Sequence, residues 1–225
     1  FLSRHLYNFF VSDEPQVPSW QTTEPQDPEA IKALEEEYFR SNGDVRSMLR
    51  ILFNSDFFKN ASYKKVKSPA ELIAGVMRLV DDYTTPKPNS HEIAFAAAYM
   101  GQDLLNPPTV EGWHTGKEWI DSGALVERVN FAADRVGDIN MPGVRRIVSR
   151  LAAYGPVMDA DTLLDHSLEL AGPVEVSSDR RTELMTYLEK YKEIKCGTSE
   201  EMKNFESIVT GLLRLIVASR EFQFA

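Results

Sequence analysis

Apolar residues recur through most of this chain at intervals of three and four, and the runs are cut by proline, glycine and capping residues. That pattern allows a helical protein and little else. Leu2, Leu6, Phe9 and Phe10 predict a first helix ending near Asp13. Asp27-Pro28-Glu29 supplies a cap, a first-turn proline and an acid for a second helix. Its apolar face is Ile31, Leu34, Tyr38 and Phe39, and Asn42-Gly43 stops it. Asp44 caps a third, through "VRSMLRILFNSDFF". Ser68-Pro69 with Glu71 has capping-box spacing and opens a helix reaching Asp82 that presents Leu72, Ile73, Val76, Met77 and Val80. The small apolar run "IAFAAAYMG" predicts a tightly packed central helix over 90–104. Further helices are predicted over 122–137, 143–153, 159–170, 178–194 and 199–219. No segment alternates convincingly as a strand would. The expected class is all-α, a multi-helix orthogonal bundle of about nine or ten helices.

Two breaks shape the expected organisation. "DEPQVPSWQTTEPQDP" carries four prolines and reads as a surface connection. "GDINMPG" suggests a boundary, giving a helical core region 1–141 and a C-terminal helical lobe 142–225, with one continuous domain as the alternative. Between the central helices lies "NPPTVEGWHTGKEWIDS". Pro107 and Pro108 force an extended path, and Gly112 and Gly116 admit positive φ or close approach. Trp113 and Trp119 each offer a broad apolar face and an indole donor. With His114, Lys117, Arg128 and Asn130 as polar neighbours, the stretch suits a platform for a sugar or aromatic ligand. The competing reading is a structural wedge, because large buried aromatics mostly belong to cores.

Charge and motif content narrow the function classes. Across 225 residues the net charge is −9. The small group Lys64, Lys65 and Lys67 is a poor footprint for nucleic acid. Cys196 is the sole cysteine, so no intrachain disulfide forms. No apolar run approaches the ~20 residues that span a bilayer. His5, His91, His114 and His166 show no i, i+4 pairing, and no metal site is expected. Nucleotide cradles and the nucleophile elbow are also missing, so no cofactor and no catalytic residue is assigned. The chain opens at Phe1 already inside a helical period, which reads as a piece of something longer. One internal echo is present: "MLRILFNSDFF" (48–58) and "LLRLIVASREF" (212–222) match at Leu-Arg, Ser and Phe. Similar helix-end packing explains it more simply than a repeat does.

The motifs Lys67-Ser68-Pro69-x-Glu71 before a helix ending in Arg78, Gly101-Gln102-x-Leu104, Pro107-Pro108-x-Val110-x-Gly112-Trp113, Gly116-x-x-Trp119 and Arg128-x-Asn130-Phe131 are similar to those of a bacterial family known as domain of unknown function 1800. "ASREFQF" at the end resembles the same family. The resemblance implies a match to the family's C-terminal half, with a His- and Asp-containing segment lying upstream. It also implies an exported protein, periplasmic or extracellular, encoded near an exported sulfatase- or phosphatase-like partner. No activity comes with it. His114 stands where the family often has proline, which weakens any argument from a proline-dependent loop. The expected function is a binding or assembly role; the alternative is part of a hydrolase acting on extracellular polymers or esters.

Overall fold

The computed structural model describes residues 1–225 apart from Pro86, Asn89, His114, Pro173 and Lys192. Its α-helices are α1 (Leu2–Phe10), α2 (Pro28–Arg40), α3 (Val45–Asn54), α4 (Asp56–Lys59), α5 (Pro69–Leu79), α6 (His91–Tyr99), α7 (Ser122–Val136), α8 (Pro142–Ala152), α9 (Ala160–Ala171), α10 (Ser178–Leu188), α11 (Ser199–Val217) and α12 (Arg220–Gln223). Two 3₁₀ segments, Val17–Gln21 and Gly116–Ile120, lie in the proline-rich connection and the tryptophan stretch. The protein is all-α, as its periodicity requires. Twelve helices are found among the described residues because α4 and α12 break away from the helices before them. At each break a serine leaves the helix and caps the next turn. Phe58 N donates to Ser55 Oγ (3.2 Å), and Phe222 N donates to Ser219 Oγ (3.4 Å).

The only strands among the described residues are β1 (Val157–Met158) and β2 (Ile194–Lys195), paired antiparallel. Two-residue strands have no readable period, and the expected helix to residue 194 instead stops at Leu188. The expected helix over 90–104 is likewise shorter. Gly101 takes φ +94, Gly101 N donates to Ala98 O (2.9 Å) and Gln102 N to Ala97 O (2.8 Å), closing a Schellman end. Nor is α6 central. Ala97 is its one buried residue, while Phe95 and Tyr99 are exposed. Small apolar composition alone did not distinguish a buried helix from one packed on a single side.

The chain forms two compact units. The first comprises Phe1–Ser68, Asn106–Asp121 and Phe224–Ala225; the second comprises Pro69–Leu105 and Ser122–Gln223. The boundary read at 141/142 lies inside the second unit.

In the first unit Tyr7 of α1, Val11 just past it, Ile31 and Leu34 of α2, and Met48 and Leu52 of α3 make the core. Asp13, just past α1, ties this core to later chain. Its Oδ2 accepts Val66 N (2.7 Å), and its side chain lies 3.1 Å from where a Cβ on Gly116 would sit. The last residues join here too, through a bridge between Val66 and Phe224 and a bond from Ala225 N to Lys65 O (2.8 Å).

The second unit is built around α11. Phe205, Val209, Leu212, Leu213, Ile216 and Val217 are buried on it, and α7, α8, α9 and α10 pack against it. Thr198 and Glu201 form a full capping box at its start.

Candidate ligand-binding site

The most elaborate polar construction in the first unit is centred on Arg4 of α1. A buried guanidinium needs an opposite charge and acceptors for its remaining donors. Arg4 has both. Its Nε and Nη2 donate to Glu14 Oε2 at 2.9 and 2.6 Å, Nη1 donates to Thr23 O at 2.8 Å, and Nη2 to Glu24 O at 3.1 Å. Glu14 in turn accepts Gln26 N on Oε1 (2.9 Å), while its own N donates to Asn8 Oδ1 (2.8 Å). The side chains of the pair are 7% and 0% exposed. The four-proline segment 13–28 reads from sequence as a surface connection, and this clasp closes it into a loop.

Trp20 sits on that loop. Its Nε1 donates to Pro15 O (2.6 Å), and the Arg4 guanidinium lies 4.8 Å from the centre of its ring. Phe1 and His5 meet the ring edge-on or tilted, with centroids 5.9 and 4.6 Å away. Beside it is a cavity of about 470 Å³. Phe1, Val17, Pro18, Trp20, Pro25 and Ile31 supply its apolar wall. Arg4, Gln21, Glu35 and Glu111 supply polar groups. Glu35 and Glu111 are exposed and have no ion-pair partner among the described residues. A largely apolar concavity of this size with a few polar groups is what small-ligand sites generally look like.

The residues singled out in the sequence fall elsewhere. Trp113 is half-buried and Trp119 is 6% exposed, both in the first unit. Arg128 and Asn130 lie on α7 in the second unit, and His114 falls outside the described residues. Arg128 is fully buried and Asn130 is exposed, as residues two apart on a helix should be when one faces inward. Gly112 and Gly116 adopt φ +102 and +67. Pro107 and Pro108 are exposed and trans, leading into a tight turn in which Gly112 N donates to Thr109 O (3.1 Å). Thr115 O accepts from Gln16 Nε2 (3.2 Å), so the stretch leaves α6 to pack with the first unit.

The remaining reactive types are quiet. Cys196 is buried, its Sγ lies 3.1 Å from Gly155 O, and burial pushes the thiol pKa up. His166 stacks on Tyr154 with centroids 3.8 Å apart. Among the described residues no group of His, Cys, Asp and Glu could hold a metal ion. No described helix is long and apolar enough to cross a membrane.

A family model described as protein of unknown function (DUF1800) matches residues 1–224. The chain belongs to that family. No curated protein and no solved structure matches it.

In the second unit the DUF1800 signature is split: Pro69, Gln102 and Arg128 are buried, while Glu71, Arg78, Gly101, Leu104 and Asn130 are exposed. Gln102 Oε1 accepts Ala70 N (2.9 Å), filling an orphan donor in the first turn of α5. Arg128 Nε donates to Gln223 Oε1 (2.9 Å), and Gln223 Nε2 donates to Val217 O (3.0 Å) at the end of α11. Burial draws the Arg128 guanidinium down to about 10, with the nearby Glu71 carboxylate opposing the shift. These bonds tie the buried Gln102, Arg128 and Gln223 into the packing of the second unit. Trp20, by contrast, carries no site signal of its own in the sequence, because its proline-rich setting reads as a surface connection. The available signal was a lone aromatic among prolines, preceded sixteen residues earlier by a helical arginine.

Proposed function

We propose that this chain is a binding module, and that its ligand is a saccharide seated against Trp20. The observation that carries this is the cavity itself. It has an indole wall against which the buried, charge-balanced Arg4 stacks, with Gln21, Glu35 and Glu111 among its polar lining. An aromatic face accepts the apolar face of a sugar ring, and carboxylates and amides accept or donate hydrogen bonds to its hydroxyls. Because Arg4 is already balanced by Glu14, the two glutamates leave the pocket acidic, which favours hydroxyl donors over anions. The chain is proposed to act outside the cytoplasm, beside a sulfatase- or phosphatase-like partner. That placement is supported by the family's habits alone.

The test is a titration with neutral oligosaccharides, followed by fluorescence in a Trp113→Phe/Trp119→Phe background so that Trp20 reports. Saturable change is expected, and it should be lost in Glu35→Gln/Glu111→Gln. A flat response across a broad panel of glycans would sink the reading. Release of new reducing ends or free acid during the same incubations would favour the alternative, a hydrolase acting on polymers or esters.

A further inference from the structure

The second unit carries a feature at odds with an acidic protein. Arg78 at the end of α5, and Arg146 and Arg150 on α8, line one concavity of about 360 Å³. The α8 start is held against the end of α5 by Gly143 N donating to Val80 O (2.8 Å), which lets the three arginines line the same hollow. Asp81 is the one carboxylate in the lining, and it pairs with Arg146. Arg78 and Arg150 have no ion-pair partner among the described residues. Cations near helix C-termini are favoured by the helix dipole, which accounts for a basic residue in each last turn. It does not account for their convergence, since like charges sharing a hollow repel unless an anion joins them. A smaller concavity of about 260 Å³ shares Arg150 and is walled by Ala153 and the exposed Tyr154.

We propose that this hollow binds a phosphate monoester, with the phosphate among Arg78, Arg146 and Arg150 and the organic group towards Tyr154. Three guanidiniums less one carboxylate leave two positive charges, which match a phosphate monoester better than a monoanionic sulfate ester or carboxylate. Guanidinium forks suit the oxygens of such a group, and bidentate charge-assisted bonds are the strong ones. A broad polyanion surface is not indicated, because the basic groups are confined to one hollow in a chain of net charge −9. This site and the Trp20 cavity lie in different units and rest on separate observations, so each can fail alone.

Calorimetric titration of the whole chain with phenyl phosphate, phenyl sulfate and inorganic phosphate tests the proposal. Phenyl phosphate should bind at least about tenfold more tightly than phenyl sulfate, and Arg78→Gln/Arg150→Gln should weaken it by about tenfold or more. Arg145→Gln, whose guanidinium bonds Asn140 O outside the hollow, should leave binding unchanged. Tyr154→Ala should weaken phenyl phosphate severalfold and spare inorganic phosphate. Asp81→Asn keeps a residue tolerant of the φ +52 found there and frees Arg146, so binding should tighten. Thermal unfolding of each variant verifies that it is folded. The proposal is overturned if phosphate gives no heat beyond a chloride control, if the double arginine variant binds like the parent, or if Asp81→Asn weakens binding.

Discussion

The two units of this protein use the same local device in different surroundings. In the first, α3 ends where Ser55 N donates to Leu52 O (3.2 Å), and Ser55 then caps α4. In the second, α11 ends where Ser219 N donates to Ile216 O (3.0 Å), and Ser219 caps α12. Aligned on these serines, Leu52 matches Ile216 and Phe58 matches Phe222, the echo visible in the sequence. What differs is the support. Around α11 the second unit has an extensive apolar core, and Ser219 is wholly buried. Around α3 the first unit has a modest core, Ser55 is half-buried, and much of the ordering comes from polar clasps at Arg4, Asp13 and Glu14. A unit with little apolar area can still hold a proline-rich loop if a buried charge pair is fully hydrogen-bonded. It is then sensitive to loss of either partner.

Three experiments would break or sharpen this contrast. The largest effect is expected from Arg4→Ala, which strands Glu14 as a buried carboxylate; loss of one partner from such a pair typically costs about 3–5 kcal/mol. Hydrogen exchange should show protection lost in α1 and residues 13–26 while the α11 amides stay protected. Equal loss in both units would show that the charge clasp does not act locally. Next come the paired cap variants. Ser55→Ala should cost about 0.5–1 kcal/mol and Ser219→Ala about 1–2 kcal/mol by chemical denaturation, because the second cap is sealed from water that could replace it. Equal costs would mean that burial adds nothing to the device. The smallest effect concerns acid. Glu37 is held below its ordinary value of 4.5, first by its bond to Arg40 and then by Ser47. A carboxyl whose pKa is depressed on folding stabilises the fold above the unfolded value. That contribution is lost as pH falls from 4.5 through the lower folded value. Thermal melts at descending pH should show the first unit losing stability across that interval, with Glu37→Gln flattening the change. A variant that tracks the parent would remove Glu37 from the account.

Much of the fold could be read because its signals are local. Asp27 caps α2 through Ala30 N (3.0 Å), and Asp44 caps α3 through Arg46 N (3.1 Å). Pro28 and Pro142 sit at the first helical positions of α2 and α8. What could not be read depends on partners distant in the chain. Nothing near Arg4 in sequence reveals that Glu14, Thr23 and Glu24 will close on it, and nothing near Trp20 reveals a cavity shared with Glu35 and Glu111. The tryptophan stretch is conspicuous in composition, yet Trp119 is buried and the buried Arg128 donates through Nε to Gln223.

By itself, then, the sequence determined the all-α class, most helix starts, the caps at Asp27 and Asp44 and the family, because each follows from spacing within a few residues. Only the tertiary structure decided that the 106–121 segment packs with the first unit. It also decided that α6 exposes Phe95 and Tyr99, and that Arg78, Arg146 and Arg150 face one hollow. The physical reason is common to all three. A helix period says which face is apolar, but only packing says what covers that face and which distant charges meet beside it.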